Sequence, residues 1–315
     1  MTKTQEIVSP VEIKDEWFRP KEKSDGEAES VVRPSLSYWK DAWRRLKKNK
    51  LAMGGLFFLI LLTLFAIFGP IFSPYSMDEM NYPMQNQGPS AEHWFGTDEA
   101  GRDVFTRTWY GARVSLFVGV MAALIDFFIG VIYGGFSGYK GGRADAIMMR
   151  IIEVLYGLPH LLVVILLMVV MGPSLTTIIV ALTVTGWVGM ARIVRGQVLQ
   201  IKNYEFVTAS KSFGAKSSRI IRKNLLPNTM GPIIVQMTLT VPSAIFAEAF
   251  LSFLGLGVSA PAASWGVMAN DALPVILSGH WWRLFFPAFF ISVTMFAFNV
   301  LGDGLQDALD PKLRR

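Results

Sequence analysis

The chain has 315 residues, of which 52% are hydrophobic and only 17% are charged, and its mean hydropathy is +0.39. This composition excludes an ordinary soluble domain and favours several membrane-spanning segments. The net charge is +6, but the basic residues flank apolar runs, a placement that is typical of a membrane surface rather than of a nucleic-acid site. The absence of cysteine excludes disulfides and thiolate ligands.

The first 50 residues contain no apolar run long enough to cross a membrane. Residues 1–35 are polar and of mixed charge, which predicts a disordered tail. Residues 36–50 predict an amphipathic interfacial helix, with a solvated linker as the alternative. Four apolar residues recur there at helical spacing among lysines and arginines: Trp39, Ala42, Trp43 and Leu46.

Residues 51–72 form the first apolar run and carry no charge. As a helix this run would extend about 33 Å, enough to cross a bilayer core of about 30 Å. Residues 73–112 are polar and rich in turn-forming residues, which predicts an extracytoplasmic loop.

Residues 113–306 predict five further transmembrane helices, followed by a polar tail at 307–315. The five apolar runs are 114–136, 147–171 with a break at Pro159, 175–194, 230–256 and 284–301. The predicted fold class is therefore all-α, a polytopic membrane protein with six transmembrane helices.

Basic residues predict the orientation of these six spans. An even number of spans places both termini on one side, and cytoplasmic termini leave only four of the 30 Lys and Arg residues outside. Those four are Arg102, Arg107, Arg113 and Arg283. This positive-inside distribution predicts that both termini are cytoplasmic and that the loop at 203–228 is cytoplasmic too.

The segment Glu205–Asn228 predicts a cytoplasmic helix-turn-helix between the fourth and fifth spans. Its first helix carries an apolar face at helical spacing, formed by Phe206, Ala209, Ser210 and Phe213. Gly214 can adopt the left-handed conformation that stops this helix. We expect Ser217 to cap a second short helix over 219–224, and Pro227 to end it. An ordinary basic loop is the alternative, but a structured connection of this length is more than topology requires.

The stretch "FVTASKSFGAKSSRIIRKNLLPN" resembles the cytoplasmic coupling loop of ABC-transporter permease subunits. That loop has the pattern Glu-Ala-Ala, three residues, Gly, nine residues, and Ile-x-Leu-Pro. The corresponding residues here are Thr208-Ala209-Ser210, Gly214, Asn224 and Leu226-Pro227, so the glutamate and the isoleucine are absent from their positions. The strings "HWFGTDEAGRDVFTRTWYGARVSL" and "EAFLSFLGLGVSAPAASWGVM" are similar to the peptide/nickel branch of the family.

The resemblance covers residues 36–315 and is strongest with the C-type permease subunit of oligopeptide importers. It implies half of the translocation pathway of an ATP-driven oligopeptide importer in the bacterial cell (inner) membrane. The implied partners are a second homologous permease, two ABC ATPase subunits and an extracytoplasmic peptide-binding protein. Dipeptides or nickel are alternative substrates.

By this resemblance, the residues expected to couple the chain to the ATPases are Glu205, Phe206, Ala209, Phe213, Gly214 and Pro227. The aromatic residues of the coupling loop could fill a groove of the ATPase or pack the loop onto the membrane core. The sequence leaves both uses open.

No Gly-x-x-x-x-Gly-Lys-Ser/Thr loop is present, so we expect no nucleotide or other cofactor on this chain and no enzymatic activity of its own. The three histidines fall in separate segments without ligand spacing, which argues against a metal site.

Acidic residues in or near apolar runs leave three interpretations open. Asp126, Glu153 and Glu248 could form the proton relay of a secondary carrier, pack or line the pathway of a permease, or lie solvated at an interface. In the outer loop, Asp98, Arg102 and Asp103 could contact the binding protein, or they could pair with one another to fold the loop.

Overall fold

The computed structural model describes residues 37–258 and 262–310. Within these residues the fold is all-helical, and the one β-bridge joins Thr97 to Asp103, so the predicted all-α fold is confirmed. The tail predicted at 1–35 lies outside the described residues, as do the last five positions. A compact unit begins at Asp41.

The α-helices of the described part share the apolar composition of membrane segments, apart from α1 and the short helices of the loops. In chain order they are α1 (Tyr38–Lys48), α2 (Lys50–Phe68), α3 (Val104–Lys140), α4 (Gly142–Gly157), α5 (His160–Met171), α6 (Leu175–Ile201), α7 (Glu205–Ser212), α8 (Ser217–Ile220), α9 (Leu226–Leu251), α10 (Trp265–Ala272) and α11 (Trp282–Leu309). A π-helical turn, Ile221–Leu225, connects α8 to α9.

Five helical stretches are long and apolar enough to cross a membrane: Lys50–Phe72, α3, α6, Ser217–Leu256 and α11. The pair α4 and α5 supplies a sixth span if it is counted as one, and its two halves bend by 78° at Leu158 and Pro159. Proline lacks a backbone N–H and disfavours helix at the preceding residue, which accounts for the break.

Helix α3 begins ten residues before the predicted run at 114–136, so its first nine residues belong to the stretch 73–112 that the sequence predicted as a loop. Asp103 caps this helix by accepting a hydrogen bond from the Thr106 backbone N–H at 2.7 Å. Polar composition concealed the helix, although some of its polar groups are satisfied within it. The Thr108 hydroxyl, for example, donates to the Val104 carbonyl at 2.7 Å.

Helices α3 and α6 pack closely against each other along a seam of glycines at four-residue spacing. Gly130, Gly134 and Gly138 face Met190, Ala191 and Arg195 of α6. Small residues on one helix face let two backbones approach closely in a membrane, where apolar burial gives no driving force between helices. The seam therefore holds α3 against α6, and α6 is the helix that leads to the segment at 203–228.

We predict that Gly134→Val destabilises the chain by about 2–3 kcal/mol, because the added side chain overlaps the Ala191 carbonyl oxygen. The matched control is Gly189→Ala on α6, where an added Cβ meets nothing within 4 Å. Thermal unfolding in detergent should show a lower midpoint for the first variant only. Equal midpoints would contradict the close approach of α3 and α6.

Candidate functional site

A short helix and a left-handed glycine form the first half of the segment at 203–228, which we call the knob. Helix α7 ends in a Schellman motif, in which Gly214 N–H donates to the Lys211 carbonyl and Ala215 N–H donates to the Ser210 carbonyl. Gly214 has φ of +74°, as the sequence predicted, and a side chain there would be strained. The turn between the two helices is therefore fixed by one residue.

Most of the apolar face predicted from the sequence is exposed, next to the exposed polar residues Thr208, Lys211 and Ser212, whereas Ser210 is half-buried. Phe213 is 90% exposed and Phe206 is 39% exposed, and Ala209 and Gly214 are also exposed. Glu205, at the start of the helix, faces solvent as well. Within this chain these side chains do not pack the knob onto the membrane core, so they remain available to a partner.

Val207 performs the packing that the aromatic residues do not. It is fully buried and lies in one apolar cluster with Val198 of α6, Ile220 of α8 and Leu225 of the π turn. Sequence analysis missed this residue because Phe206 and Val207 are adjacent and equally apolar. Only the packing of α7 against the second half of the knob decides which of them faces inward.

The second half of the knob differs from the prediction. Ser217 is the first residue of α8 and not its cap, since Lys216 occupies the capping position without a side-chain bond. Pro227 does not end a helix but lies in the first turn of α9, so the prediction that it ends the second helix is wrong. The π turn Ile221–Leu225 lies just before this proline, so the regular hydrogen-bond pattern of the helix is already altered where the proline N–H is missing. The knob thus continues without interruption into a membrane helix.

Two departures from the coupling-loop pattern contact each other. Asn224 stands at the isoleucine position and Ser210 at the end of the first triplet, and the Asn224 amide donates to the Ser210 hydroxyl at 3.0 Å. This bond joins the end of α7 to the π turn. The polar replacement at 224 therefore keeps a link between the two halves of the knob.

Polar contacts also fix the base of the knob to the membrane helices. Lys202 Nζ donates to the Gly138 carbonyl near the end of α3 at 3.0 Å. Arg195 of α6 forms two hydrogen bonds of 2.6 Å with Asp145 of α4. A paired, bidentate contact of this kind holds its helices in a defined geometry. Movement of the knob should therefore move α3, α4 and α6 together.

The outer loop contains a second, charged arrangement. Asp98 accepts hydrogen bonds from Arg102 Nε at 2.7 Å and from the backbone N–H groups of Ala100 and Arg102 at 2.9 and 3.0 Å. Arg107 Nε lies 3.4 Å from the same carboxylate. Near them, burial raises the pKa of Asp271, and Glu99 adds to this effect while Arg107 opposes it.

Asp103 belongs to the same buried layer. Besides capping α3, it lies 2.9 Å from His93 Nδ1. The side chains of Asp98, Arg102 and Asp103 are all buried within the loop, which agrees with the interpretation that they fold it. A contact between these three residues and a binding protein stays a prediction.

We predict that Asp98→Ala unfolds the outer loop, at a loss of about 3–5 kcal/mol, because it leaves buried guanidinium groups without their carboxylate. Limited proteolysis of the loop should accelerate in this variant. Glu92→Gln, which changes an exposed acid of the same loop, is the control and should leave the cleavage rate unchanged. Equally slow cleavage of Asp98→Ala and Glu92→Gln would contradict a folding role for the Asp98 carboxylate.

The three acids in or near the spans do not come together. Glu248 is fully buried and accepts hydrogen bonds from Ser115 at 3.0 Å and Ser252 at 2.8 Å. Asp126 is buried beside Gly186 of α6, and Glu153 is exposed and paired with Arg150 at 2.8 Å. Ser115 and Asp126 are 11 residues apart on α3, about 16 Å along its axis. No hydrogen-bonded path links the three acids within the described residues.

The fold and the knob define a class of membrane transport subunit, in which several spans carry an exposed apolar helix-turn-helix at one face. The family profile "Binding-protein-dependent transport system inner membrane component" matches residues 99–315, and the chain belongs to this family. The profile "N-terminal TM domain of oligopeptide transport permease C" matches residues 37–89. The predicted ABC permease family is thereby confirmed, as is the prediction that this chain is not itself an enzyme.

Two relatives from Bacillus subtilis align over nearly the whole chain. The dipeptide transport system permease protein DppC is 79% identical over 304 residues, which cover 96% of this chain and 95% of the relative. The oligopeptide transport system permease protein OppC is 60% identical over 298 residues, 95% of this chain and 97% of the relative. The chain is thus a multi-pass inner-membrane permease.

One solved structure shares the fold. The inward-facing MetNI methionine ABC transporter superposes with a TM-score of 0.52 at 19% identity, over 64% of this chain and 94% of the MetNI chain. At this identity the likeness concerns the arrangement of helices alone.

Proposed function

We propose that this chain is one of two permease subunits in an ATP-driven peptide importer, where it forms half of the translocation pathway. Two ATPase subunits dock in the cytoplasm, one of them on the knob of this chain, and an extracytoplasmic binding protein delivers the peptide. The observation that carries this proposal is the exposed apolar surface of the knob, because Phe213 is 90% exposed and Phe206 and Ala209 are exposed beside it.

The knob couples nucleotide-driven movement to the spans as a rigid body. Val207, the Gly214 turn and the bond between Asn224 and Ser210 hold its two halves together. The continuous helix from Ser217 to Leu256 carries its displacement into the membrane. Both termini lie in the cytoplasm, since this orientation places the basic residues of the knob on the inside.

The substrate is a peptide. The resemblance seen in the sequence favours oligopeptides, whereas the relative with 79% identity is named for dipeptide transport and the one with 60% for oligopeptide transport. The proton-coupled carrier has no support from this family or from the separated acids.

Reconstitution of the complete importer in liposomes tests the function. We expect uptake of labelled peptide that requires ATP hydrolysis and the binding protein, and competition between unlabelled dipeptides and pentapeptides gives the preferred length. Uptake by this chain alone under a pH gradient, without ATP, would contradict the proposal.

A further inference from the structure

A groove of about 440 Å³ lies between the end of α3 and the segment formed by α8 and the π turn. Its floor is apolar and includes Ile132 and Phe136 of α3 and Leu226 at the start of α9. Gly135 of α3 lies next to Ile221 and Leu226, so α3 contacts the π turn and the start of α9 beside the groove. Two residues of this floor are exposed, Ile132 and Phe136.

The rim of the groove is cationic. Lys140, in the last turn of α3, and Arg222, in the π turn, line it together with the hydroxyl groups of Ser217 and Ser218. Within the described residues neither cation has a carboxylate oxygen within 4.0 Å. Lys211 lies near the same region, with its ammonium group 5.6 Å from the Tyr139 ring.

An apolar floor beneath an uncompensated cationic rim matches the chemistry of one ligand class. Anionic phospholipids carry a phosphate at the membrane surface and acyl chains below it, and basic pockets between transmembrane helices bind such headgroups. The rim lies in the last turn of α3 and in the π turn next to the knob, the part of the chain where the positive-inside pattern predicts the cytoplasmic membrane surface.

We propose that this groove binds an anionic phospholipid, with its phosphate between Lys140 and Arg222 and an acyl chain along Ile132, Phe136 and Leu226. The bound lipid contacts both the end of α3 and the π turn that joins the knob to α9. It therefore stabilises the connection through which the knob moves the spans. That this lipid belongs to the cytoplasmic leaflet rests on the proposed cytoplasmic position of the knob. The binding of the lipid does not depend on it.

The test uses the full-length chain in nanodiscs of phosphatidylcholine with a trace of labelled phosphatidylglycerol, and native mass spectrometry counts the retained lipid. We expect preferential retention of phosphatidylglycerol. The variant Lys140→Gln/Arg222→Gln should weaken retention roughly tenfold or more, since each cation near an anionic headgroup strengthens binding about fivefold. Both residues are exposed, so these changes leave the helices intact.

The matched control is Arg219→Gln/Lys223→Gln, which removes the same charge from the knob outside the groove lining. It should retain the lipid, and Lys140→Arg/Arg222→Lys should restore binding. Phe136→Ala should weaken lipid retention as well, because it removes part of the apolar floor. An equal loss in the control, no preference in the wild type, or displacement by millimolar inorganic phosphate would each overturn the proposal, the last in favour of a soluble anion. Loss of the lipid when the second permease assembles with this chain would show that the other permease fills the groove, and this result would also overturn the proposal.

Discussion

Replacing Phe213 by aspartate should reduce ATP-driven peptide uptake at least tenfold while the chain still folds and inserts. Phe213 is 90% exposed, so the folded chain tolerates a charge at this position. In the assembled importer the same carboxylate would be buried in an apolar groove of the ATPase. Loss of a central aromatic anchor costs about 2–4 kcal/mol, and an unpaired buried charge adds to this penalty.

Uptake in proteoliposomes and co-purification of the ATPase should therefore fall together. Phe213→Leu is the conservative control, because it keeps an apolar side chain and should retain most of the uptake. An Asp variant with normal uptake would show that the apolar face of α7 is not a docking surface.

Replacing Glu248 by leucine should lower the free energy of unfolding by about 2–4 kcal/mol. The Ser115 and Ser252 hydroxyl groups would lose their acceptor at a fully buried position, and each unsatisfied group costs about 1–3 kcal/mol. Glu248→Gln keeps the shape and one acceptor oxygen, so stability and uptake should remain near the wild type. Thermal unfolding and reconstituted uptake measure both effects.

The glutamine variant also separates two roles for this carboxyl group. A glutamine cannot carry a proton, so a relay role predicts that Glu248→Gln abolishes uptake without destabilising the chain. Glu153→Gln is the control at an exposed position, and we expect it to be neutral. Loss of uptake with unchanged stability in Glu248→Gln would overturn the packing role.

The sequence predicted elements whose signal is local. Residues 51–72 carry no charge and correspond to the stretch Lys50–Phe72, and Pro159 marks the break between α4 and α5. Gly214 was identifiable because a left-handed turn requires glycine. These features need no knowledge of the rest of the fold.

The remaining features depend on contacts between distant residues. The start of α3 was missed because Arg107 becomes acceptable in a buried helix through the carboxylates of Asp98 and Asp271, which are distant from each other in the sequence. The orientation of α7 depends on Val207 packing against residues of α6 and the π turn. The glycine seam of α3 was not identified from the sequence, because its role depends on α6, which is distant along the chain.

Site-specific cross-linking tests the central claim, that the exposed face of the knob docks on an ATPase. The chain contains no cysteine, so a single introduced cysteine carries a photoreactive label at one known position. We expect Phe213→Cys and Ala209→Cys to cross-link to the ATPase in the assembled importer. Val207→Cys, which is buried, should not cross-link, and neither should Leu277→Cys, which is 97% exposed beyond the opposite end of the spans. Cross-links to the ATPase from position 277, or none from positions 209 and 213, would contradict the account.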